Sequence, residues 1–396
     1  LKKAILISSI ASLLISNSFA ENSISDMFKN GEVNGHLRAG YVNYSFDAID
    51  ETAFGVGGKL HYNTDPSQMV TLGATFYTTH TLGLTDSNPA EVAGDFFSSS
   101  KDSYSILGEA YAQFNLPDTV IKIGRQELDT PLAETDDFSI IPNTFEAFVA
   151  INNSLPDTTL IGAYVTKMSG WDSEGKAEKF VNVIQAAGVN GDKGIATLAA
   201  VYEGIPNLNV QLWDYYVTDV LNAIYAEASY EMALSGLTVG FGAQYQTQSE
   251  VGDELAGEVD SNMYGLLASV GIDSTGTSLT LAYNDGNEND LVEAWGGGPM
   301  YVSFEELGSV GNGGDSKAFM VGLDQDFSSF GVEGFSAGLY YGTMEAANNF
   351  EESEFDLLLA YEKDNLALEG VAAFITDDND KTAEYDKYFV RATYSF

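Results

Sequence analysis

Cysteine is absent from all 396 residues, which excludes disulfides, thiolate metal sites and cysteine nucleophiles. Histidine is nearly absent: His36, His61 and His80 are the full set. Only His80, with Asp86 and Glu91 shortly after it, offers a general base for a hydrolase, and an isolated loop histidine is far more often structural. Catalysis therefore has little to stand on. No stretch comes near the ~20 unbroken apolar residues of a spanning helix, so a membrane location would have to be built from strands. Positive charge is scarce as well, with 17 lysines and arginines against 58 aspartates and glutamates, a net charge of −41. So acidic a chain repels nucleic acid and gathers cations, and divalent ions bridging its surface to lipid headgroups would be one use of the excess.

What is present begins with Leu1 to Ala20. Lys2 and Lys3 precede an apolar run from Ala4 to Ile15, and Ser18-Phe19-Ala20 gives a small-x-Ala cleavage pattern, the layout of a secretory signal peptide. Removing its two lysines moves the balance from −41 to −43. Residues 21–396 show no Ser/Pro-rich linker, charge block or internal repeat, so a single domain is expected. Forty glycines, 12% aromatics and only eight prolines suit a chain of many strands and turns. A mean hydropathy near zero is what lipid-facing apolar residues alternating with lumen-facing polar ones average to.

The last stretch carries that alternation most clearly. Tyr388, Val390, Ala392, Tyr394 and Phe396 share one face, for lipid, while Phe389, Arg391, Thr393 and Ser395 share the other, for a lumen. The same rhythm puts Val33, Gly35, Leu37, Ala39 and Tyr41 outward with His36 and Arg38 inward. It puts Ile106, Gly108, Ala110, Ala112 and Phe114 outward with Glu109 and Gln113 inward. Asn63-Thr64-Asp65-Pro66, Leu116-Pro117-Asp118 and Asp273-Ser274-Thr275-Gly276 read as tight turns. Thr81 to Ser103, Ser169 to Gly194, Ser249 to Asp260 and Gly286 to Ser316 read as extended outer loops. Long loops stay on one side only if Val181 to Val189 belongs to a loop, with Ile195 to Glu203 going down and Leu208 to Val217 going up. The count is then about 18 antiparallel strands, or about 16 with one hairpin mis-split, in an all-β transmembrane barrel.

Between two such strands, Gly124 to Phe145 has neither period, yet it holds Pro131, Pro142, bulky aliphatics and five carboxylates. A loop this long and this apolar is expected to fold into the lumen as a constriction over about residues 125–145, the alternative being an outward surface loop. Arg125 at its start is expected to pair with Asp136 or Asp137, or to touch solute. Glu127, Asp129, Glu134, Asp136 and Asp137 would set a cation-favouring field, and Arg38, Glu109, Lys122 and Arg391 would line the wall. Asp136 and Asp137 are also weak candidates for calcium, which takes about six to eight oxygen ligands; otherwise no cofactor is expected. Trp213 and Tyr215 share a presumed lumen face, although Leu212 and Tyr216 allow the reverse assignment.

Gly124-Arg125-Gln126, Thr130-Pro131-Leu132, Asp136-Asp137 and Ile141-Pro142-Asn143-Thr144-Phe145-Glu146 resemble the constriction segment of the outer-membrane porin D (OprD) family. Leu212-Trp213-Asp214-Tyr215-Tyr216 with Asp219-Val220 and Asn222 is similar to another segment of that family, as is Gly31 to Arg38. Val210 to Tyr230 and Gly296 to Gly314 resemble the major porins of epsilonproteobacteria. The resemblance implies an 18-stranded fold, often trimeric, in a Gram-negative outer membrane, passing small solutes by diffusion. Relatives that take up carboxylates use a ladder of arginines, which Arg38, Arg125 and Arg391 are too few to build. The expected activity is thus a passive, cation-leaning porin. The alternative is a structural or adhesive barrel whose acidic loops hold divalent cations. Expected partners are outer-membrane lipid and lipopolysaccharide, small hydrophilic solutes and cations, and the barrel-assembly machinery, which would read a final strand ending at Phe396.

Overall fold

A computed structural model describes residues 24–396 apart from 67, 87, 174 and 293, so the expected signal peptide at 1–20 lies outside the described residues. A short helix, α1 (Ile24–Lys29), leads into the strands. They are β1 (Glu32–Phe46), β2 (Asp50–Asn63), β3 (Val70–His80), β4 (Tyr104–Leu116), β5 (Thr119–Gln126), β6 (Thr144–Leu155), β7 (Thr158–Ser169) and the two-residue β8 (Val181–Asn182). There follow β9 (Ile195–Ile205), β10 (Leu208–Val217), β11 (Leu221–Leu234), β12 (Leu237–Glu250), β13 (Asp260–Ile272) and β14 (Thr277–Gly286). The series ends with β15 (Lys317–Asp326), β16 (Phe335–Ala346), β17 (Phe350–Lys363), β18 (Leu366–Asp377) and β19 (Tyr385–Ser395).

Each long strand pairs antiparallel with the next, and β9 pairs directly with β7, so β8 hangs beside the ring without interrupting it. A four-residue helix follows β8 in the same loop, as the loop assignment of Val181 to Val189 requires. The ring closes between β1 and β19, with Leu37 opposite Tyr394 and Tyr41 opposite Val390. Closure leaves no unpaired edge, which is how strands cross a membrane. The result is an 18-stranded barrel plus one short extra strand.

Alternation sets the two faces. On β19 the buried Lys387, Phe389 and Arg391 point inward, while Tyr388, Val390 and Tyr394 are exposed on the outside. On β10, Trp213 and Tyr215 are buried inside, whereas Leu212 and Tyr216 are exposed, which settles the direction the sequence left open. One expected face is wrong. The register passes from Thr75 opposite Glu109 to Phe76 opposite Leu107, so Gly108 is an extra residue in β4. This bulge reverses the parity above it: Ile106 turns in against Tyr77, and Leu107 takes the outward position. Glycine is required there, since a Cβ on Gly108 would stand 2.7 Å from the Tyr77 ring.

Three apolar clusters lie inside the ring, where loops pack on the inner wall. The largest joins Leu128 and Leu132 of the 127–143 loop to Ile161, Val165, Trp213 and Tyr215. The second joins Ile140 and Ile141 to Val42, Phe96 and Phe389, and the third seats Val302 and Leu307 on Met320 and Met344.

Candidate functional site

The 127–143 loop leaves β5 after Gln126 and returns at Thr144, running inside the barrel as a constriction. Its base is a compact turn. Thr135 donates from its backbone N to the Leu128 carbonyl (2.8 Å) and from its hydroxyl to the same oxygen (2.7 Å). Asp129 and Glu134 form a bridge across it. Burial pushes the Asp129 carboxyl above its usual range. At Asp136 the chain turns through φ 38°, a left-handed conformation that aspartate tolerates better than most residues.

Beyond that corner the loop reaches the wall at β1 and β19, where two arginines hold it. Arg38 of β1 gives both terminal nitrogens to Asp137, at 2.5 Å each. Arg391 of β19 donates Nη1 to the carbonyls of Asp137 (2.6 Å), Phe138 (2.7 Å) and Ser139 (3.0 Å). Its Nη2 meets Glu369 at 2.6 Å. Burial opposes ionisation of Asp137, but the bonds from Arg38 and the nearby Arg391 charge outweigh it and hold the carboxyl below the usual range. Both Asp137 oxygens are engaged by guanidinium nitrogens, a poor start for a calcium shell. Among the described residues no three acidic or histidine side chains are grouped to hold a metal.

Other expected wall residues form a second cluster. Glu127 accepts from Tyr77 Oη (2.6 Å) and Lys59 Nζ (3.2 Å). Glu109 accepts from Thr75 Oγ1 at 2.5 Å and stands 3.7 Å from Lys122, whose ammonium lies 3.9 Å from the Tyr111 ring centroid. Arg125 is placed differently from expectation. Its partner across the ladder is Glu146, on the outward face shared with the exposed Phe148, and its guanidinium lies over Phe180 at 4.1 Å. Arg38, rather than Arg125, pins the acidic corner. β5 keeps its period of two through Gln126, so with Lys122 inward Arg125 faces out; the expectation failed by counting Arg125 with the loop instead of the strand.

The 287–316 loop, expected outside, also folds in. Glu354 of β17 accepts the backbone N–H groups of Glu306 (3.1 Å) and Leu307 (2.7 Å), and Asp356 accepts that of Glu305 (3.3 Å). Lys387 bonds Glu306 at 2.5 Å. The two inner loops are joined: Glu134 N donates to the Trp295 carbonyl (3.0 Å), and a Cβ on Gly297 would stand 2.4 Å from Leu132. Sequence reasoning missed these wall groups because Glu354 and Asp356 lie about fifty positions from their partners; the one signal was the presence of two acids on an inward face.

Charge is segregated around the lumen. Arg38, Lys59, Lys122, Lys387 and Arg391 face it from β1, β2, β5 and β19. From β6 to β18, among the described residues, its ionisable side chains are carboxylates such as Glu227, Asp324, Glu354, Asp356 and Glu369, and no lysine or arginine joins them. His80 bonds Thr78 (2.9 Å), while Asp86 and Glu91 bond Asn88, so the imagined base and acids do not meet.

A closed barrel narrowed by loops held against its inner wall is the architecture of an outer-membrane porin. The model of the OprD family of outer membrane porins matches residues 83–383, and the chain belongs to that family. Its barrel is similar to OccK1 (OpdK) of Pseudomonas aeruginosa, at 20% identity and a TM-score of 0.79 over 93% of this chain and 99% of that one. It is similar to a BenF-like porin from Pseudomonas fluorescens Pf-5, at 17% identity and a TM-score of 0.83 over the same shares. For OccAB2 of Acinetobacter baumannii the identity is 16% and the TM-score 0.80, over 94% and 99%. No curated protein sequence matches the chain. It is an outer-membrane porin for small hydrophilic solutes, and its family and fold are those of channels.

Proposed function

We propose that this porin leans towards cations and small neutral solutes. The observation that carries this reading is the pairing of lumen bases: Arg38 with Asp137, Arg391 with Glu369, Lys59 with Glu127, Lys122 with Glu109 and Lys387 with Glu306. Each base is already neutralised by a protein carboxylate. Glu227 and Asp324, elsewhere on the wall, have neutral donors instead: Glu227 accepts from Tyr225, and Asp324 from Tyr340 (2.6 Å). A surplus of negative potential in a confined lumen concentrates cations. OpdK has been crystallised with vanillate, a carboxylated aromatic. For such a solute to be held here, its carboxylate would have to displace a protein carboxylate from a base it already occupies.

Reversal potential across a planar bilayer under a salt gradient tests the reading. A potential of cation-selective sign supports it, and one of anion-selective sign overturns it. A homotrimer, surrounding lipopolysaccharide and assembly through the Phe396 strand belong to the same proposal. Phe396 supports the last of these by donating its N–H to the Gly35 carbonyl (2.9 Å) while its ring stays exposed. No metal or cofactor is needed for diffusion.

A further inference from the structure

We propose that the inner wall of β6, β7, β9 and β10, on the periplasmic side of the 127–143 loop, is a subsite for organic ammonium solutes that carry an apolar body. Strand alternation turns Phe148, Leu160, Leu198 and Tyr202 outward, where they are exposed. It turns their neighbours Val149, Ile151, Ile161, Ala199 and Val201 to the lumen, and all of these but Ile161 keep part of their surface open. The ladder sets them edge to edge: Ile151 lies opposite Ile161, Ile161 opposite Ala199, and Ala199 opposite Trp213. The wall is polar on both sides of this band, with Glu109 and Lys122 on β4 and β5 and with Glu227, Gln244 and Gln246 on β11 and β12. Apolar surface facing water in a passage for hydrophilic solutes is unfavourable, and an apolar solute body laid on it recovers that free energy.

The same wall selects the charge of the solute. Gln211 of β10 lies between Val201 of β9 and Glu227 of β11 in one row of the ladder. Two strand spacings therefore put the apolar band and the carboxylate about 10 Å apart, the span of an ammonium and the far edge of a ring joined by a short alkyl chain. Glu227 accepts from the neutral hydroxyl of Tyr225, and β10, β11 and β12 contain no lysine or arginine. Its carboxylate keeps acceptor sites for an ammonium. Trp213 is held at the edge of the band, stacked on Tyr215 and donating Nε1 to Gln211 (2.7 Å). A cavity of about 30 Å³ bordered by Leu128, Val149, Ile161, Val165 and Trp213 adds an apolar notch where the loop base meets the wall. Leu132, in that base, donates its N–H to Tyr215 Oη (3.4 Å), so a solute that has passed the constriction meets this wall next. The ammonium half of the inference rests on the cation-leaning reading; the apolar half does not.

Block of single-channel potassium current tests it, with phenethylammonium and tris(hydroxymethyl)methylammonium, ions of similar size, as probes. In the wild type the half-blocking concentration is expected to be about tenfold lower for phenethylammonium. Val201→Thr with Ala199→Ser nearly keeps the shape of the wall but adds two hydroxyls, and should reduce that ratio to about threefold or less. Glu227→Gln should raise the half-blocking concentration of both ions about fivefold and leave their ratio unchanged. Heat-modifiable migration equal to that of the wild type certifies that both variants are folded. Equal block by the two ions in the wild type, or a full ratio in the hydroxyl variant, would overturn the apolar seat, and unchanged block in Glu227→Gln would overturn the ammonium seat. Preference for phenethylammonium in a channel that reverses with anion-selective sign would sink the cation reading and leave the apolar seat standing, whereas equal block in a cation-selective channel would do the opposite.

Discussion

Asp137 and Arg38 differ in what each leaves behind when removed. Arg38 is buried, at 7% exposure, so Asp137→Ala strands a guanidinium without its counter-charge, whereas Arg38→Ala leaves a carboxylate that is 43% exposed to solvent. Asp137→Ala is therefore expected to lower stability by about 2 kcal/mol and Arg38→Ala by roughly half as much, discounted for that exposure. Thermal or urea unfolding of the two variants in detergent checks the order. The pH dependence has a definite sign. Because the folded-state pKa of Asp137 is depressed, its contribution is present above the ordinary carboxylate range and fades only as pH falls through the lower folded value. Channel current noise should stay at its neutral-pH level through mild acid and rise only below that range; a rise near neutral pH would point to a different latch. Arg391→Lys keeps a charge beside Glu369 but loses the fork that reaches three carbonyls, so loop noise should increase without a change in selectivity.

Element bounds are legible where turn residues mark them. Leu208 to Val217 is bounded as expected because Pro206-Asn207 marks its start, although Leu212-Trp213 and Tyr215-Tyr216 leave its faces open to either assignment. On β4 the period misleads for the residues before Gly108, because a single bulged glycine leaves no mark in the pattern although it inverts the faces of Ile106 and Leu107. The 127–143 loop announced itself by prolines and aliphatics in a stretch without period. The 287–316 loop did not, since its Gly-rich, acidic composition is that of a solvated loop and its docking groups belong to a distant strand. Glu354→Ala would orphan the N–H groups of Glu306 and Leu307, a cost of about 2–4 kcal/mol, and should release that loop. Protease added outside intact cells should then cut within 287–316 in the variant and spare the wild type. Glu354→Gln, which keeps an acceptor, should be cut at an intermediate rate, and equal protection of all three would show that apolar packing alone holds the loop.

Taken as a whole, the molecule is a rigid ring whose inner surface is shaped by two joined loops and polarised from a basic wall to an acidic one. The barrel class and a count of about 18 strands follow from alternation and loop parity, with about 16 as the alternative, and the first inner loop stands out by length and composition with an outward fold left open. The pairing of every lumen base with a carboxylate does not, because it joins residues as far apart in the chain as Arg38 and Asp137. That pairing also changes what an acid-to-amide substitution does: Asp137→Asn removes a negative charge and frees Arg38 at once, so it should weaken cation preference more than neutralising Asp253 in an outer loop. The most direct measurement is therefore the reversal potential of single channels under a salt gradient, for the wild type and for Asp137→Asn. A passive porin with this constriction should open, reverse with cation-selective sign, and move towards zero in the variant. Absence of conductance, or a cation-selective potential that Asp137→Asn leaves untouched, would contradict a pore governed by this loop.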